Sequence, residues 1–319
     1  MRRILFIMSM VISTGNVVGQ TDTKPENNVH YRSVDINGLN IFYREAGPDG
    51  APLILLMHGF PSSSFMFRDL IEQLKNDFHV VAPDYPNFGF SSFDPGVSTF
   101  DGLAAVMEKF VDKMKIKEFS IYIQDYGAPV GLRLAARRPE MLKCLIVQNG
   151  NAYEEGLGAP WDPIKAFWKN PDNPTHIKTI LDFFELPVTK FQYLAGVKDT
   201  TKVSPEKYFL DQFLLDRPGA KEVQLRLMRD YENNVKLYPE WQKMFRRYQP
   251  PTLIVWGEND PFFTKAGALA YANDLKTTEY HFYPTGHFAL EEYGVEIAVR
   301  ISSFLKKNIK EFPKNSIAE

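Results

Sequence analysis

The chain has a single cysteine among its 319 residues. Cys144 therefore has no partner within the chain, which excludes an intrachain disulfide and a multi-cysteine metal site. It lies in the apolar run from Leu142 to Gln148, where a thiol reads as a buried packing group rather than a reactive one. An excess of charge is missing as well: 37 Lys and Arg face 39 Asp and Glu, a formal charge of -2. Nucleic acid is dropped as a partner, because it calls for a basic face or stripe. No apolar run reaches the roughly 20 residues of a membrane-spanning helix, and no segment is repeated or of low complexity. What is there is ordinary globular composition, 44% hydrophobic and 14% aromatic, enough for a substantial core.

The first residues read as an address rather than as fold. Arg2 and Arg3 precede the apolar run Ile4 to Ile12, and Val17-Val18-Gly19 leads into a polar stretch. That is the layout of a secretory signal. The expectation is a signal peptide over residues 1–19, a linker over 20–29, and a secreted or periplasmic protein with no integral membrane segment once the signal is removed.

Two β-rich segments follow, His30 to Ile36 and Leu39 to Ala46, split by the hairpin signal Asn37-Gly38. Apolar strands then alternate with helical patterns: strands Pro52 to Met57, His79 to Ala82, Phe119 to Ile123 and Leu142 to Val147; helices Met66 to Leu74, Leu103 to Met114 and through Ala135. Continuous Val, Ile and Leu runs between amphipathic helices predict an α/β fold with a mostly parallel sheet covered on both faces. From residue 151 to 248 the buried-strand signal stops and aromatic residues accumulate, which predicts a helical insertion over the sheet. The alternation resumes with a strand at Thr252 to Trp256, a helix near Ala266 to Leu275, a strand at Glu279 to Phe282 and a helix from Glu292 to Lys306. The core thus comprises residues 30–150 and 249–311, with the cap over 151–248.

In such a sheet, ligands bind beyond the carboxyl ends of the strands. Four strand-end turns carry suitable residues: His58-Gly59-Phe60-Pro61, Gln124-Asp125-Tyr126-Gly127, Glu258-Asn259-Asp260-Pro261 and Thr285-Gly286-His287-Phe288. The second has the strand-turn-helix form of a nucleophile elbow, with Gly127 permitting close backbone approach. Its nucleophile position holds Asp125, and a carboxylate is already an anion at neutral pH. It can attack an sp³ carbon directly and form an alkyl-enzyme ester, which water activated by His287 then hydrolyses, with Asp260 orienting the imidazole. Glu154, Glu155 and Asp84 are the other carboxylates considered for that orienting role. His58, with Gly59 and Pro61, reads as a structural turn residue rather than a base.

These motifs, in this order, resemble the α/β-hydrolase superfamily, and within it the epoxide hydrolase and haloalkane dehalogenase branch. The resemblance covers about residues 30–310, with the helical insertion in the place of the family's cap. It implies that the backbone N–H groups of Phe60 and Tyr126 form the oxyanion hole and that Pro61 is a cis-proline. It implies neither metal nor cofactor; the partners are a small apolar substrate and water, and a homodimer is compatible with it. Ile123 departs from the family pattern, which has a small residue two before the nucleophile.

The leaving group distinguishes the members of that branch. Family dehalogenases place Asn after His-Gly and Trp after the nucleophile; here Phe60 and Tyr126 stand there, so the core-side halide donors are missing. The arginines that clamp a haloacid are replaced by Tyr126 and Pro129. Epoxide hydrolysis to a vicinal diol is thereby favoured, with Tyr231 the best match to a cap tyrosine and Tyr193, Tyr153 or Trp168 as its partner. Carbon-halogen hydrolysis using Trp168 and Tyr231 is the alternative, and a non-catalytic binding protein on the same fold is the second.

Overall fold

The computed structural model describes residues 28–309. The expected signal peptide, most of the linker, and residues 310 and 311 at the end of the core lie outside them. The hairpin of β1 (His30–Ile36) and β2 (Leu39–Ala46) turns at Asn37 and Gly38, both at positive φ, 56° and 86°. Then come β3 (Leu53–Met57), α1 (Arg68–Leu74), β4 (His79–Pro83), α2 (Phe100–Lys113), β5 (Phe119–Gln124), α3 (Gly127–Arg137) and β6 (Leu142–Gln148). Five helices follow, α4 (Asp162–Lys169), α5 (Pro174–Asp182), α6 (Leu186–Leu194), α7 (Pro205–Leu215) and α8 (Ala220–Tyr248). The chain closes with β7 (Thr252–Gly257), α9 (Lys265–Ala270), β8 (Thr278–Tyr283) and α10 (Leu290–Asn308).

The eight strands form one sheet in the order β1-β2-β4-β3-β5-β6-β7-β8. Only β2 runs against its neighbours, β1 and β4; β3 to β8 pair in parallel. Successive side chains of a strand face opposite ways, and here both ways lead to core. Leu55, Met57, Ile121, Ile123, Leu145, Val147, Ile254 and Trp256 pack with residues of α2 and α3, whereas Ile54, Leu56, Tyr122, Ile146, Leu253 and Val255 pack with those of α1 and α10. This two-sided burial is why the strands read as continuous apolar runs. Cys144 belongs to the second group, and burial pushes its thiol up to about 11, so it is protonated and inert.

The cap helices leave the sheet after β6 and return at β7, on the side of the carboxyl strand ends. Helix α8, 29 residues long, buries Val223, Leu227, Tyr231, Tyr238, Trp241 and Phe245, a stripe at helical spacing that packs on α2 and α3 below and α4 and α5 beside it. The helix expected over Ala266 to Leu275 stops at Ala270 and tightens into one 3₁₀ turn, Tyr271–Asn273. There the buried Tyr271 hydroxyl is tied to the carbonyl of Gly150. No helix among the described residues is long and apolar enough to cross a membrane.

Candidate active site

Asp125 directly follows β5, in the left-handed region at φ 50°, and α3 begins two residues later. The turn is feasible because two neighbours lack side chains. A Cβ on Gly127 would lie 2.1 Å from the carbonyl oxygen of Met57, and one on Gly59 would lie 2.3 Å from the Cβ of Asp125. The large Ile123 before the turn is accommodated by a third glycine: a Cβ on Gly131 would come within 2.6 Å of its Cγ2. The bulk expected at a small-residue position is thus absorbed one helical turn into α3.

The backbone N–H of Phe60 donates to Asp125 Oδ1 at 2.6 Å, and that of Tyr126 donates to the same carboxylate. The Phe60-Pro61 peptide is cis. Oδ1 is therefore held by the Phe60 amide, while Oδ2 lies 3.7 Å from Nε2 of His287. His58 fixes the first turn: its Nδ1–H donates to the Gly59 carbonyl at 3.0 Å and its Nε2 accepts from Tyr85 N–H at 3.2 Å. Burial pushes its pKa down to about 4, with the Gly59 bond opposing, so the ring is neutral and structural.

Asp260 Oδ2 accepts from His287 Nδ1–H at 2.8 Å. Asp84, weighed for that role, instead accepts from the amides of Ser64 and Phe90, and Glu154 and Glu155 are exposed. Asp260 is itself held on both oxygens, Oδ1 by Phe262 N–H at 2.7 Å and Oδ2 by the Asn149 carboxamide at 2.8 Å. With Nδ1 carrying the proton, Nε2 presents a lone pair, which accepts from Gln124 Nε2 at 2.8 Å. Neither amide was singled out from the sequence. Strand-end position is the signal that marks both: Gln124 closes β5 and Asn149 follows β6.

Burial raises the pKa of Asp125, while His287 and the amides of Phe60 and Tyr126 act against that rise. For His287 burial acts downward, but the charge and hydrogen bond of Asp260, together with the charge of Asp125, outweigh it and the pKa is raised above 6.5. A small cavity of about 30 Å³ opens on this pair, lined by Phe60, Tyr126, Trp161, Phe183, Phe262 and Gln192 among others. A wider depression around His79 and Lys143, at the opposite ends of the strands, holds none of these groups.

Three of the four leaving-group donors considered are engaged elsewhere. Tyr193 donates to Asp211 Oδ2 at 2.5 Å and stacks on Phe288, Tyr153 donates to Asp274 Oδ2 at 2.8 Å, and the Trp168 indole donates to the Met228 carbonyl at 2.8 Å. The structure thus corrects their selection: each side chain spends its only donor on a protein acceptor. Tyr231 differs. Its ring packs on Trp161 and Tyr126, both cavity residues, and its fully buried hydroxyl lies beside that of Tyr238 without hydrogen-bonding geometry. It stands in the layer behind the cavity wall rather than on it. Among the described residues no cluster of three or more His, Cys, Asp and Glu could hold a metal ion.

Residues 52–293 match the model of the alpha/beta hydrolase fold family. The chain belongs to that family. An uncharacterized hydrolase of Saccharomyces cerevisiae is 45% identical over 276 residues, covering 85% of this chain and 95% of that protein. Epoxide hydrolase 4 of Mus musculus is 26% identical over 243 residues, covering 73% and 66% respectively. The crystal structure of haloalkane dehalogenase DbeA from Bradyrhizobium elkani superposes with a TM-score of 0.73 at 20% identity, covering 88% of this chain and all of that one, a likeness of fold alone. Haloalkane dehalogenase of Mycobacterium marinum is 25% identical over 293 residues, covering 86% of this chain and 93% of that protein, so this hydrolase is related to epoxide hydrolases and dehalogenases.

Proposed function

We propose that the protein opens epoxides to vicinal diols through an ester on Asp125. The observation that carries this reading is the Asp125 carboxylate itself, with Oδ1 held by the Phe60 amide, the Tyr126 amide also against the carboxylate, and Oδ2 at 3.7 Å from His287 Nε2. Oδ2 attacks an epoxide carbon, the Oδ2–C bond forms, the ring C–O bond breaks and the alkoxide takes a proton. Tyr231, whose hydroxyl has only that of Tyr238 beside it, is the proposed proton source, and it reaches the alkoxide by turning from the layer behind Trp161 and Tyr126 into the cavity. Water then gives a proton to His287 Nε2 and attacks Cγ. The oxyanion rests on the two amides, the Cγ–Oδ2 bond breaks, and the diol leaves with Oδ2, taking a proton from the His287 imidazolium; the remaining proton of the attacking water passes from the regenerated carboxyl to the Tyr231 phenolate, restoring the starting state.

Carbon-halogen hydrolysis by the same ester is less well supported, because the cap indoles near the cavity are committed: Trp161 donates to the Phe262 carbonyl and Trp168 to that of Met228. A parallel screen of epoxides and haloalkanes, reading diol and halide together, tests the choice. Diol from epoxides without halide from haloalkanes is expected; halide with no diol would overturn it. Turnover of either kind, lost in Asp125→Ser, also rules against a non-catalytic binding protein. Export is proposed from the N-terminal pattern, and an extracellular or periplasmic form beginning at residue 20 is the expected product. A cytoplasmic protein retaining residues 1–19 would contradict it.

A further inference from the structure

The cavity wall is aromatic and aliphatic except at three side chains. Two of them, Asp125 and His287, belong to the chemistry already described, and the third is Gln192 on α6. Only 6% of Gln192 is exposed, it lines the cavity, and its carboxamide has no hydrogen-bond partner within the protein among the described residues. Its surroundings there are Phe60, Trp161, Phe183, Val188 and Phe262, none of which offers a free polar group.

The contrast with Gln212 on the adjoining helix α7 is instructive. Gln212 is 5% exposed and fully engaged, accepting from Thr189 Oγ1 at 2.7 Å and donating to the Phe184 carbonyl at 3.1 Å and to Asp216 at 2.8 Å. An amide that lines a cavity without a protein partner is left to pair with water or with a bound ligand. The flanking side chains face elsewhere: Phe191 is half exposed, and Tyr193 stacks on Phe288 beneath the cap.

We propose that Gln192 is the specificity-determining residue of this site, binding an uncharged oxygen of the substrate other than the one that reacts. A carboxamide both donates and accepts, so it suits a hydroxyl, an ether or a carbonyl. No Lys or Arg lines the cavity, and the Asp125 carboxylate disfavours a second anion. With the epoxide reading, on which this part rests, the substrate class becomes an apolar epoxide that carries a further neutral oxygen.

The experiment compares benzyl alcohol with ethylbenzene, which differ by a hydroxyl in place of a methyl. Binding of each to the full chain is measured by calorimetry for the wild type and for Gln192→Met, which keeps the length of the side chain and removes its donor and acceptor. The expected result is a loss of about tenfold in benzyl alcohol affinity with ethylbenzene unchanged or tighter, the size of one hydrogen bond lost in an apolar site. Equal change for both ligands, or no change, overturns the proposal. Should Gln192→Met not fold, the side-chain amide resonance of Gln192 in the wild type serves instead: it must shift with benzyl alcohol and not with ethylbenzene, and the same response to both overturns the proposal. Neither readout depends on epoxide chemistry. Phenyl glycidyl ether and its methylene isostere, (2-phenylethyl)oxirane, are then assayed for diol. No diol from either, with the discrimination between alcohol and hydrocarbon intact, would sink the epoxide reading and leave Gln192 standing; diol formation without that discrimination would do the reverse.

Discussion

The carboxamide of Asn149 donates to Asp260 Oδ2 at 2.8 Å, the same oxygen that accepts from His287 Nδ1. The other end of that amide accepts from Gly257 N–H at 2.9 Å, and the backbone carbonyl of Asn149 accepts from Asp125 N–H at 3.3 Å. One residue thus braces both the nucleophile's turn and the strand end that bears the acid. Asn149 sits at φ 44°, so glycine can replace it without backbone strain. Asn149→Gly is expected to lower kcat about tenfold, roughly 1.4 kcal/mol of transition-state stabilisation, with KM little changed, and to cost about 1–3 kcal/mol of stability for the buried groups left unpaired. Steady-state kinetics and urea unfolding check both; an unchanged kcat would show that Asp260 holds its place without the amide.

The raised pKa of His287 owes part of its rise to the Asp125 charge. That charge disappears when the ester forms, so the imidazole becomes less basic at the stage where it must be neutral to accept a proton from water. Asp125→Asn imitates the loss of charge. The titration of His287, followed by NMR, is expected to lie above 6.5 in the wild type and to move lower in the variant. A titration that stays in place or rises would mean that the two side chains are not electrostatically coupled.

Tyr231 and Tyr193 lend themselves to opposite outcomes on losing a hydroxyl. The Tyr231 hydroxyl is buried without a hydrogen bond, so Tyr231→Phe should keep or slightly raise stability while lowering epoxide turnover by about 10²-fold, the scale of general acid catalysis. Tyr193→Phe removes a bond to the buried Asp211, and a stability loss of about 1–3 kcal/mol is expected with turnover largely kept. Full turnover by Tyr231→Phe would remove it from the mechanism.

His58 gives the fold an acid limit. Its folded pKa, about 4, lies below the 6.5 of the unfolded chain, so the unfolded state takes up the proton first as pH falls. Its contribution is constant above pH 6.5 and is lost as pH drops toward 4, by about 2 kcal/mol between pH 6.5 and 5. Urea unfolding at those two values should show that slope in the wild type and a shallower one in His58→Gln; parallel slopes would assign the acid sensitivity to other groups.

Much of this molecule was legible in its residues. The sheet could be read because burial on both faces leaves unbroken apolar runs, as in Leu53–Met57, and the positions of Asp125, Asp260 and His287 because each lies in the turn after a strand. Less legible was whether a polar group is free. Tyr193, Tyr153 and Trp168 have suitable chemistry, but Asp211, Asp274 and the Met228 carbonyl, which occupy them, come from distant parts of the chain. Gln192 escaped notice for the complementary reason: its facing depends on the rotation of α6 against α7, which the sequence of α6 alone does not reveal. Gln124 and Asn149 are distant from His287 and Asp260 in sequence, and only the fold brings them together.

The central claim is an ester on Asp125 that only His287-activated water removes. Intact mass spectrometry of His287→Gln after incubation with styrene oxide tests it most directly. The expected product is a stable adduct equal to the whole mass of the epoxide, mapped to the peptide carrying Asp125 and absent from Asp125→Asn. An unmodified His287→Gln protein that still forms diol would contradict the account.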